Sequence, residues 1–248
     1  MIDIKNDKYI YNVILSRNPV NSINKDMLQG LKYAIDSLNY DMSRVLVISS
    51  SMKHFCAGAD LKDRSDMSLD ETVDFLDEIN ILYNKISDIE IPTVALIDGA
   101  CLGGGLEMAL ACDFIISSNN GIFGFPETSI GIIPGAGGTQ RMTRKVGPST
   151  SMKWIFTAER YSAKDSFEDG VVDLLTASHE EDTQAFIDKI LFNSPMGLRM
   201  SKKSIKQSFI DTGYKKEREA YLKTLYSQDR NEGLRSFKEK RPPNWKNK

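Results

Sequence analysis

The alternation of apolar and polar positions predicts strands and amphipathic helices along the first half of the chain. Val45–Ser50 (VLVISS) is a short continuous apolar run, typical of a strand buried on both faces, and residues 9–16 are β-branched and aromatic enough for another strand. Between them, residues 24–41 carry apolar positions at helical spacing behind a candidate N-cap at Asn24. The predicted core positions of this helix are Met27, Leu28, Leu31, Ala34, Ile35 and Leu38.

The same pattern continues with a second long helix and two more strands. Residues 68–87 form an amphipathic stripe, and residues 91–99 and 113–118 are apolar strands on either side of a short glycine-rich helix. This alternation of strand and helix predicts an α/β core. The stripe of the second helix consists of Leu69, Val73, Leu76, Ile79, Leu82 and Ile86.

Beyond about Val172 the pattern changes to helices without a strong strand signal. The predicted helices cover residues 180–192, 195–211, 215–229 and 231–240. We therefore divide the chain into an α/β core that carries the active site, residues 1–192, and a small helical C-terminal domain, residues 193–248.

Composition narrows the functional classes. The 248 residues suffice for one sizeable core. The 32 basic and 34 acidic side chains nearly balance, so the chain has no strong positive electrostatic field to attract nucleic acid or an anionic membrane. Three cysteines without CxxC spacing and only two histidines do not resemble a metal site, so we expect reduced, packed cysteines. Without a signal peptide or a bilayer-length apolar run, we expect a cytoplasmic protein, or a mitochondrial matrix protein if a transit peptide is absent from this chain.

Three stretches break local rules and are therefore candidate functional segments. They are FCAGADLK (55–62), GGGLE (103–107) and FGFPETSIGIIPGAGG (123–138). In the second, glycines precede a helix whose first N–H groups lack partners, and the acid Glu107 stands among apolar residues. Turn N–H groups from the first stretch and helix N–H groups from the second would form an oxyanion hole, and Glu127 would add a second carboxylate for acid–base chemistry.

Structural roles explain these residues equally well at this stage. The glycines would then serve close helix–strand packing, Glu107 would pair with an arginine, and Glu127 would be an acid at a helix N-terminus. A phosphate loop is disfavoured because the chain has neither GxGxxG after a strand nor GxxxxGK[ST].

Four segments in order resemble the enoyl-CoA hydratase/isomerase (crotonase) family almost from end to end. They are FCAGADLKD, IDGACLGGGLEMALACDFIIS, FGFPETSIGIIPGAGGTQRMTRKVG and DRNEGLRSFKEKRPPNW. The first two look closest to the methylglutaconyl-CoA hydratase branch, whose founding member also binds AU-rich RNA. The resemblance implies a spiral of ββα units with a helical C-terminal region, assembled as trimers or dimers of trimers.

The resemblance also implies the site residues. The carbonyl oxygen of an acyl-CoA thioester would lie between the N–H groups of Ala59 and Gly104, and Glu107 and Glu127 would hold the water. Glu107 would orient and activate this water, and Glu127 would exchange a proton with the α-carbon. No metal, nicotinamide or flavin is implied, since coenzyme A enters as part of the substrate. The implied contacts to substrate and CoA are Ala57, Ala59, Asp60, Leu61, Lys62, Gly104, Phe237 and Lys240.

Some of these contacts have simpler explanations. Lys62 is also explained as a solvated loop charge, and Phe237 and Lys240 as part of a surface helix. The apolar side chains of the C-terminal helices would be exposed in a compact monomer, so we expect a homotrimer or homohexamer. These side chains are Ile205, Phe209, Tyr221, Leu225, Leu234 and Phe237.

The expected activity is hydration of a 2-enoyl-CoA, with an acyl-CoA thioester as partner and no membrane partner. Isomerases and decarboxylases share the fold, but many lack one of the two glutamates. RNA binding is disfavoured because Lys25 and Lys32 of the first helix are offset by nearby acids. We expect acyl selectivity to come from residues 63–89 and 130–133.

Overall fold

The computed structural model describes residues 1–60, 63, 67–208 and 227–246. Its strands are β1 (Ile2–Asp7), β2 (Ile10–Leu15), β3 (Val45–Ser50), β4 (Thr93–Ile97), β5 (Ala100–Leu102), β6 (Phe114–Ser118), β7 (Ile122–Gly124), β8 (Tyr161–Ser162) and β9 (Leu174–Thr176). Its helices are α1 (Lys25–Asp36), α2 (Leu69–Asp88), α3 (Gly104–Ala109), α4 (Gly138–Thr157), α5 (Ala163–Glu168), α6 (His179–Phe192), α7 (Pro195–Lys206) and α8 (Gln228–Glu239), with a 3₁₀ helix at Glu127–Ile130.

Two sheets organise these elements. The larger has the strand order β1-β2-β3-β4-β6-β9, and the smaller has the order β5-β7-β8. β1 and β2 pair antiparallel, whereas β2 to β3, β3 to β4, β4 to β6 and β6 to β9 are parallel. Consecutive strands therefore alternate between the sheets, β4 then β5 and β6 then β7, before the chain enters a helix. This repeat confirms the predicted α/β core of ββα units.

The helix α1 forms as its pattern predicts. The Asn24 side chain caps it by accepting a hydrogen bond from Met27 N, and all six predicted core positions are buried. The continuous apolar run of β3 is likewise buried from Val45 to Ile48. In both elements the local pattern and the tertiary packing agree.

The helix α2 begins with a capping box at Ser68, but part of its predicted apolar stripe is wrong. Leu69 and Val73 are 87% and 56% exposed, and the buried face uses Phe75 and Tyr83 in addition to the later predicted positions. The buried positions of α2 begin at Phe75, so the first turn of the helix lies beyond the core, and Thr72 and Leu76 border an open cavity.

The sequence pattern did not predict five of the described strands. β1 mixes isoleucines with Asp, Lys and Asn and is largely exposed. β5, β7, β8 and β9 have two or three residues each, too few to show a period. β9 also corrects the expectation of a purely helical segment after Val172, because it extends the main sheet beside β6.

The C-terminal helix α7 packs onto the core, α8 packs against α7, and the segment after α8 reaches the end of α6. Lys202 of α7 forms an ion pair with Asp113 at 2.6 Å, and the Trp245 indole donates to Phe192 O. The predicted helix at 215–229 lies mostly outside the described residues, as do Phe209, Tyr221, Leu225 and the side chains of Leu234 and Phe237. Ile205 is exposed, as expected. A separate domain at 193–248 remains a prediction.

Within the described ranges, no helix is both long enough and apolar enough to cross a bilayer. The three cysteines are free thiols, as predicted, and burial raises the pKa of Cys56 and of Cys112 to about 12. Such thiols remain protonated near neutral pH and act as packing groups.

Candidate active site

The four residues assigned to chemistry from the sequence line one cavity of about 790 Å³. Ala59 follows β3 in the loop that begins the FCAGADLK stretch, Gly104 and Glu107 belong to α3, and Glu127 begins the 3₁₀ helix. The structure therefore brings together residues separated by up to 68 positions in sequence. We call these four residues the polar wall.

The two proposed N–H donors of the polar wall are neighbours. A Cβ atom placed on Gly104 would lie 3.8 Å from Ala59 N and 3.3 Å from the Ile23 side chain. The loop before Ala59 is held against residue 23, because Ile23 N donates to Gly58 O and Asp60 N donates to Ile23 O. Gly104 is the first residue of α3, where N–H groups have no intrahelical acceptor. The peptide groups of Ala59 and Gly104 therefore lie side by side at the cavity.

Glu107 is only 4% exposed, and main-chain groups hold it. Its Oε1 accepts hydrogen bonds from Ala136 N at 2.7 Å and from Gly138 N at 2.8 Å. A Cβ on Gly138 would lie 2.8 Å from the same oxygen, so residue 138 must be small. Two N–H donors on one oxygen stabilise a buried carboxylate and fix its direction.

Glu127 comes after β7, the strand that pairs with β5 in the small sheet, and its carboxylate reaches the start of α3. It follows Pro126 and opens the 3₁₀ helix. A Cβ on Gly103 would lie 2.6 Å from Glu127 Oε1, and Gly103 has φ +50°, so this position requires glycine on both steric and conformational grounds. Glu127 therefore lies at the N-terminus of the short helix that carries Glu107.

Part of the structural explanation for the glycine run is also correct. A Cβ on Gly105 would lie 2.3 Å from Cys56 O, so this glycine allows α3 to pack directly against the segment after β3. Each glycine of the run thus has its own neighbour: Glu127 for Gly103, Ala59 for Gly104 and Cys56 for Gly105.

Apolar side chains complete the cavity. Ile130, Ile132 and Ile133 are 55%, 44% and 66% exposed and line it together with Leu76 and Ile79 of α2. We call the three isoleucines and Leu76 the apolar rim. Both segments that the sequence predicted as pocket walls, 63–89 and 130–133, contribute to the lining, which confirms their placement.

Some of the predicted CoA contacts lie at the cavity, and others do not. Ala57 lines the cavity beside Ala59. The Asp60 carboxylate pairs with Arg17 at 2.9 Å and accepts from the Ser22 hydroxyl. Burial alone would raise the pKa of Asp60, but these hydrogen bonds outweigh burial and lower it. Asp60 thus braces its own loop.

For the other predicted CoA contacts, the described part of the chain shows no approach to the cavity. Lys240 is exposed at the end of α8 and does not line the cavity. Leu61, Lys62 and the Phe237 side chain lie outside the described residues.

Sequence reasoning missed the residues that support the polar wall. The N–H groups of Ala136 and Gly138 hold Glu107, and the Tyr83 hydroxyl donates to Gly104 O at 2.8 Å. Main-chain donors leave no side-chain signature, so only the glycine-rich GAGG at 135–138 hinted at a close approach. Tyr83 could have been found as a polar group on the buried face of α2.

Comparisons with known proteins show the family of this chain. The sequence model described as Enoyl-CoA hydratase/isomerase matches residues 5–248. The chain is 43% identical over 246 residues to the probable enoyl-CoA hydratase 2, mitochondrial, of Arabidopsis thaliana, covering 96% of this chain and 81% of that protein. It is 38% identical over 237 residues to human mitochondrial methylglutaconyl-CoA hydratase, covering 91% and 70%.

The fold is also similar to solved structures. The crystal structure of an enoyl-CoA hydratase from Bacillus anthracis superposes with a TM-score of 0.95 at 34% identity, covering 100% of this chain and 99% of the other. The architecture is therefore the mixed α/β crotonase fold expected from the sequence.

Proposed function

Because the chain belongs to the enoyl-CoA hydratase/isomerase family, we propose that it adds water across the 2,3 double bond of a 2-enoyl-CoA thioester. The observation that carries this proposal is the convergence of two carboxylates, Glu107 and Glu127, and two adjacent N–H groups on one cavity. Hydration needs both sets. The carboxylates handle the water and its protons, and the N–H groups stabilise the charge that develops on the thioester oxygen.

The chemistry follows from these positions. The water oxygen bonds to the β-carbon as the double bond's electron pair moves toward the thioester, giving an enolate whose oxygen meets the N–H groups of Ala59 and Gly104. One proton of the water passes to a carboxylate, and a proton returns to the α-carbon, so the net change is addition of one H₂O. We assign Glu107 to orient and activate the water and Glu127 to exchange the proton. The loss of one oxyanion donor typically costs about 3–4 kcal/mol of barrier.

The names of the relatives support the substrate class. An enoyl-CoA hydratase and a methylglutaconyl-CoA hydratase both act on CoA thioesters with a conjugated double bond. In this chain, we place the pantetheine beside Ala57 and Ala59, in the loop that Asp60 braces. Leu61, Lys62, Phe237 and Lys240 remain proposed CoA contacts from the resemblance. The apolar rim would then receive the acyl chain.

A substrate panel tests the proposal. Purified protein is incubated with 2-enoyl-CoA esters of increasing chain length and branching, and the loss of the conjugated-thioester absorbance is followed. A matched set of 3-enoyl-CoA esters reports isomerisation, in which that absorbance appears. We expect net hydration with formation of a 3-hydroxyacyl-CoA. Conversion of 3-enoyl esters without any hydration would instead favour an isomerase.

We also propose that residues 193–248 assemble the chain into a homotrimer or homohexamer. The proposal rests on the apolar side chains that the sequence places on these helices, of which Ile205 on α7 is described and is exposed. Light scattering at micromolar concentration tests this proposal. A stable monomer of 27.9 kDa would contradict it.

A further inference from the structure

One turn of α2 carries three polar side chains that reach the loops of the polar wall. Asn80 Nδ2 donates to Gly135 O at 3.0 Å, the Tyr83 hydroxyl donates to Gly104 O, and Asn84 Oδ1 accepts from Arg141 at 2.7 Å. Their spacing of three and four residues places them on adjoining parts of one helix face. The helix therefore connects to the N-terminus of α3 and to the turn that holds Glu107.

Arg141 is the central member of this network. Its Nη1 donates to Ala136 O at 2.8 Å while its Nη2 donates to Asn84. The peptide N–H of Ala136 in turn donates to Glu107 Oε1. Ala136 thus lies between the guanidinium and the catalytic carboxylate: its N–H binds Glu107, and its carbonyl oxygen is held by the planar fork of Arg141.

Arg141 is also placed to influence Glu107 electrostatically. Burial lowers the pKa of the guanidinium, and the Glu107 carboxylate opposes this shift, so the two groups interact through a poorly solvated region. Glu107 is faced by the Tyr83 phenol from α2, by Arg141 from α4 and, across the cavity, by Glu127. Arg141 is the cation in this group.

We propose that Arg141, seated by Asn84, is the positioning residue for Glu107: its fork holds the turn whose N–H groups aim the carboxylate, and its charge keeps that carboxylate ionised. This inference rests on the proposed hydration reaction for its kinetic consequence. Arg141 does not touch the substrate in this scheme, so its effect must pass through Glu107.

The experiment compares Arg141→Gln, Arg141→Lys and Asn84→Ala with the parent enzyme. For Arg141→Gln we expect kcat to fall on the order of 10-fold to 100-fold with KM within about twofold, since misplacement of a catalytic group costs that much without changing substrate contacts. Loss of the cation also moves the acidic limb of the pH–rate profile to higher pH. Arg141→Lys should restore the limb but only part of kcat, and Asn84→Ala should lower kcat less.

Arg144→Gln is the matched control, because Arg144 lies on the exposed surface of the same helix and carries the same charge. Its kcat and pH limb should stay near the parent values. An Arg141→Gln enzyme with the parent's kcat and acidic limb would overturn the proposal, and so would equal losses in Arg144→Gln. If Arg141→Gln does not fold, Arg141→Lys and Asn84→Ala decide in the same way.

A readout without catalysis separates this inference from the proposed function. The carboxyl carbon of Glu107 is titrated by NMR in labelled protein and assigned by its disappearance in Glu107→Gln. We expect Arg141→Gln to raise the pKa of Glu107 above its parent value. If the parent hydrates no enoyl-CoA but this shift is present, the proposed reaction is wrong and the link between Arg141 and Glu107 stands. An unchanged pKa would overturn the link.

Discussion

The polar wall and the apolar rim border the same cavity but are built in different ways. The polar wall is fixed by main-chain hydrogen bonds and by glycines with no room for a Cβ, as at Gly103 and Gly138. In the apolar rim, Ile130, Ile132 and Ile133 expose roughly half of their side chains or more. Positions of the first kind tolerate almost no change, whereas positions of the second kind tolerate many.

This difference separates reaction from selectivity. A polar wall that main-chain hydrogen bonds hold in place can stabilise a transition state because its dipoles are already oriented. An exposed apolar rim contributes binding when an acyl chain covers it, and its contribution scales with the area covered. Substitutions in the first region should therefore change kcat, and substitutions in the second should change KM.

The largest expected effect comes from the two acids of the polar wall. Glu127→Gln and Glu107→Gln each keep the side-chain volume but cannot exchange a proton, so each should lower kcat at least about 10²-fold with affinity largely retained. The double variant should be little worse than either single one, because residues that act as a unit are not additive. Steady-state hydration kinetics measure all three.

Glu78→Gln, an exposed acid on α2, is the control and should retain full activity. Variants at 107 and 127 that melt like the parent and hydrate at unchanged rates would contradict the assignment. Loss of activity in Glu127→Gln alone would point to a one-acid isomerase.

Gly138→Ala tests how little space the polar wall has. The added methyl would lie 2.8 Å from Glu107 Oε1 and 2.9 Å from the Phe125 ring, so both groups must move. We expect kcat to fall about 10-fold or more, together with a lower melting temperature, because overpacking displaces the carboxylate. Calorimetry and kinetics on the same preparation provide the two values.

Gly233→Ala is the matched control, since its methyl would meet only the Trp245 ring at 3.4 Å in a helix. This change should leave kcat unaltered and stabilise the protein by up to about 1 kcal/mol. If both alanine variants behave alike, the polar wall is not more tightly packed than the surface.

A substitution in the apolar rim should have a moderate effect and only on binding. Ile133→Ser removes apolar area of about one side chain, which predicts a KM increase of roughly 3-fold to 10-fold for longer acyl chains, with kcat nearly unchanged. Short enoyl esters should show less change, because they do not reach the rim.

Ile81→Ser is the control for this variant, since Ile81 is 65% exposed against 66% for Ile133 but does not line the cavity. A fall in kcat for Ile133→Ser with every ester would show that rim and wall are not separable.

The smallest expected effect concerns the brace behind Ala59. The pKa of Asp60 is lowered in the folded protein, so ionised Asp60 contributes stability above its unfolded pKa, and this contribution is lost as pH falls through the folded value. Asp60→Asn should therefore be less stable than the parent by roughly 1 kcal/mol at pH 7. The difference in stability should shrink under acidic conditions, where the protonated Asp60 of the parent is neutral, as the asparagine of the variant is at every pH.

Urea unfolding at neutral and acidic pH measures this effect, with the exposed Asp77→Asn as the control. A stability difference that stays constant with pH would show that the ionised form of Asp60 is not what braces the loop.

The sequence predicted elements wherever the local pattern coincided with burial. α1 and β3 follow their patterns because every apolar position faces the core. The motifs also predicted that Ala59, Gly104 and the two glutamates lie together, and the structure places all four at one cavity; their chemical roles remain a prediction. The supports of Glu107 could not be predicted, because Ala136 and Gly138 act through peptide groups 29 and 31 residues away. The exposure of Leu69 could not be predicted either, because a helical period shows which positions share a face and not how far along the helix the core extends.

The donors proposed at Ala59 and Gly104 are peptide N–H groups, and this determines which parts of the site a mutation can remove. A codon change replaces a side chain but leaves the peptide N–H in place, unless it introduces proline. Random mutation therefore erases Glu107 or Glu127 easily, whereas it rarely erases the pair of donors. Descendants of this gene that lost a carboxylate would keep a site that still polarises a thioester carbonyl, and from there selection could obtain a different reaction on the same class of substrate.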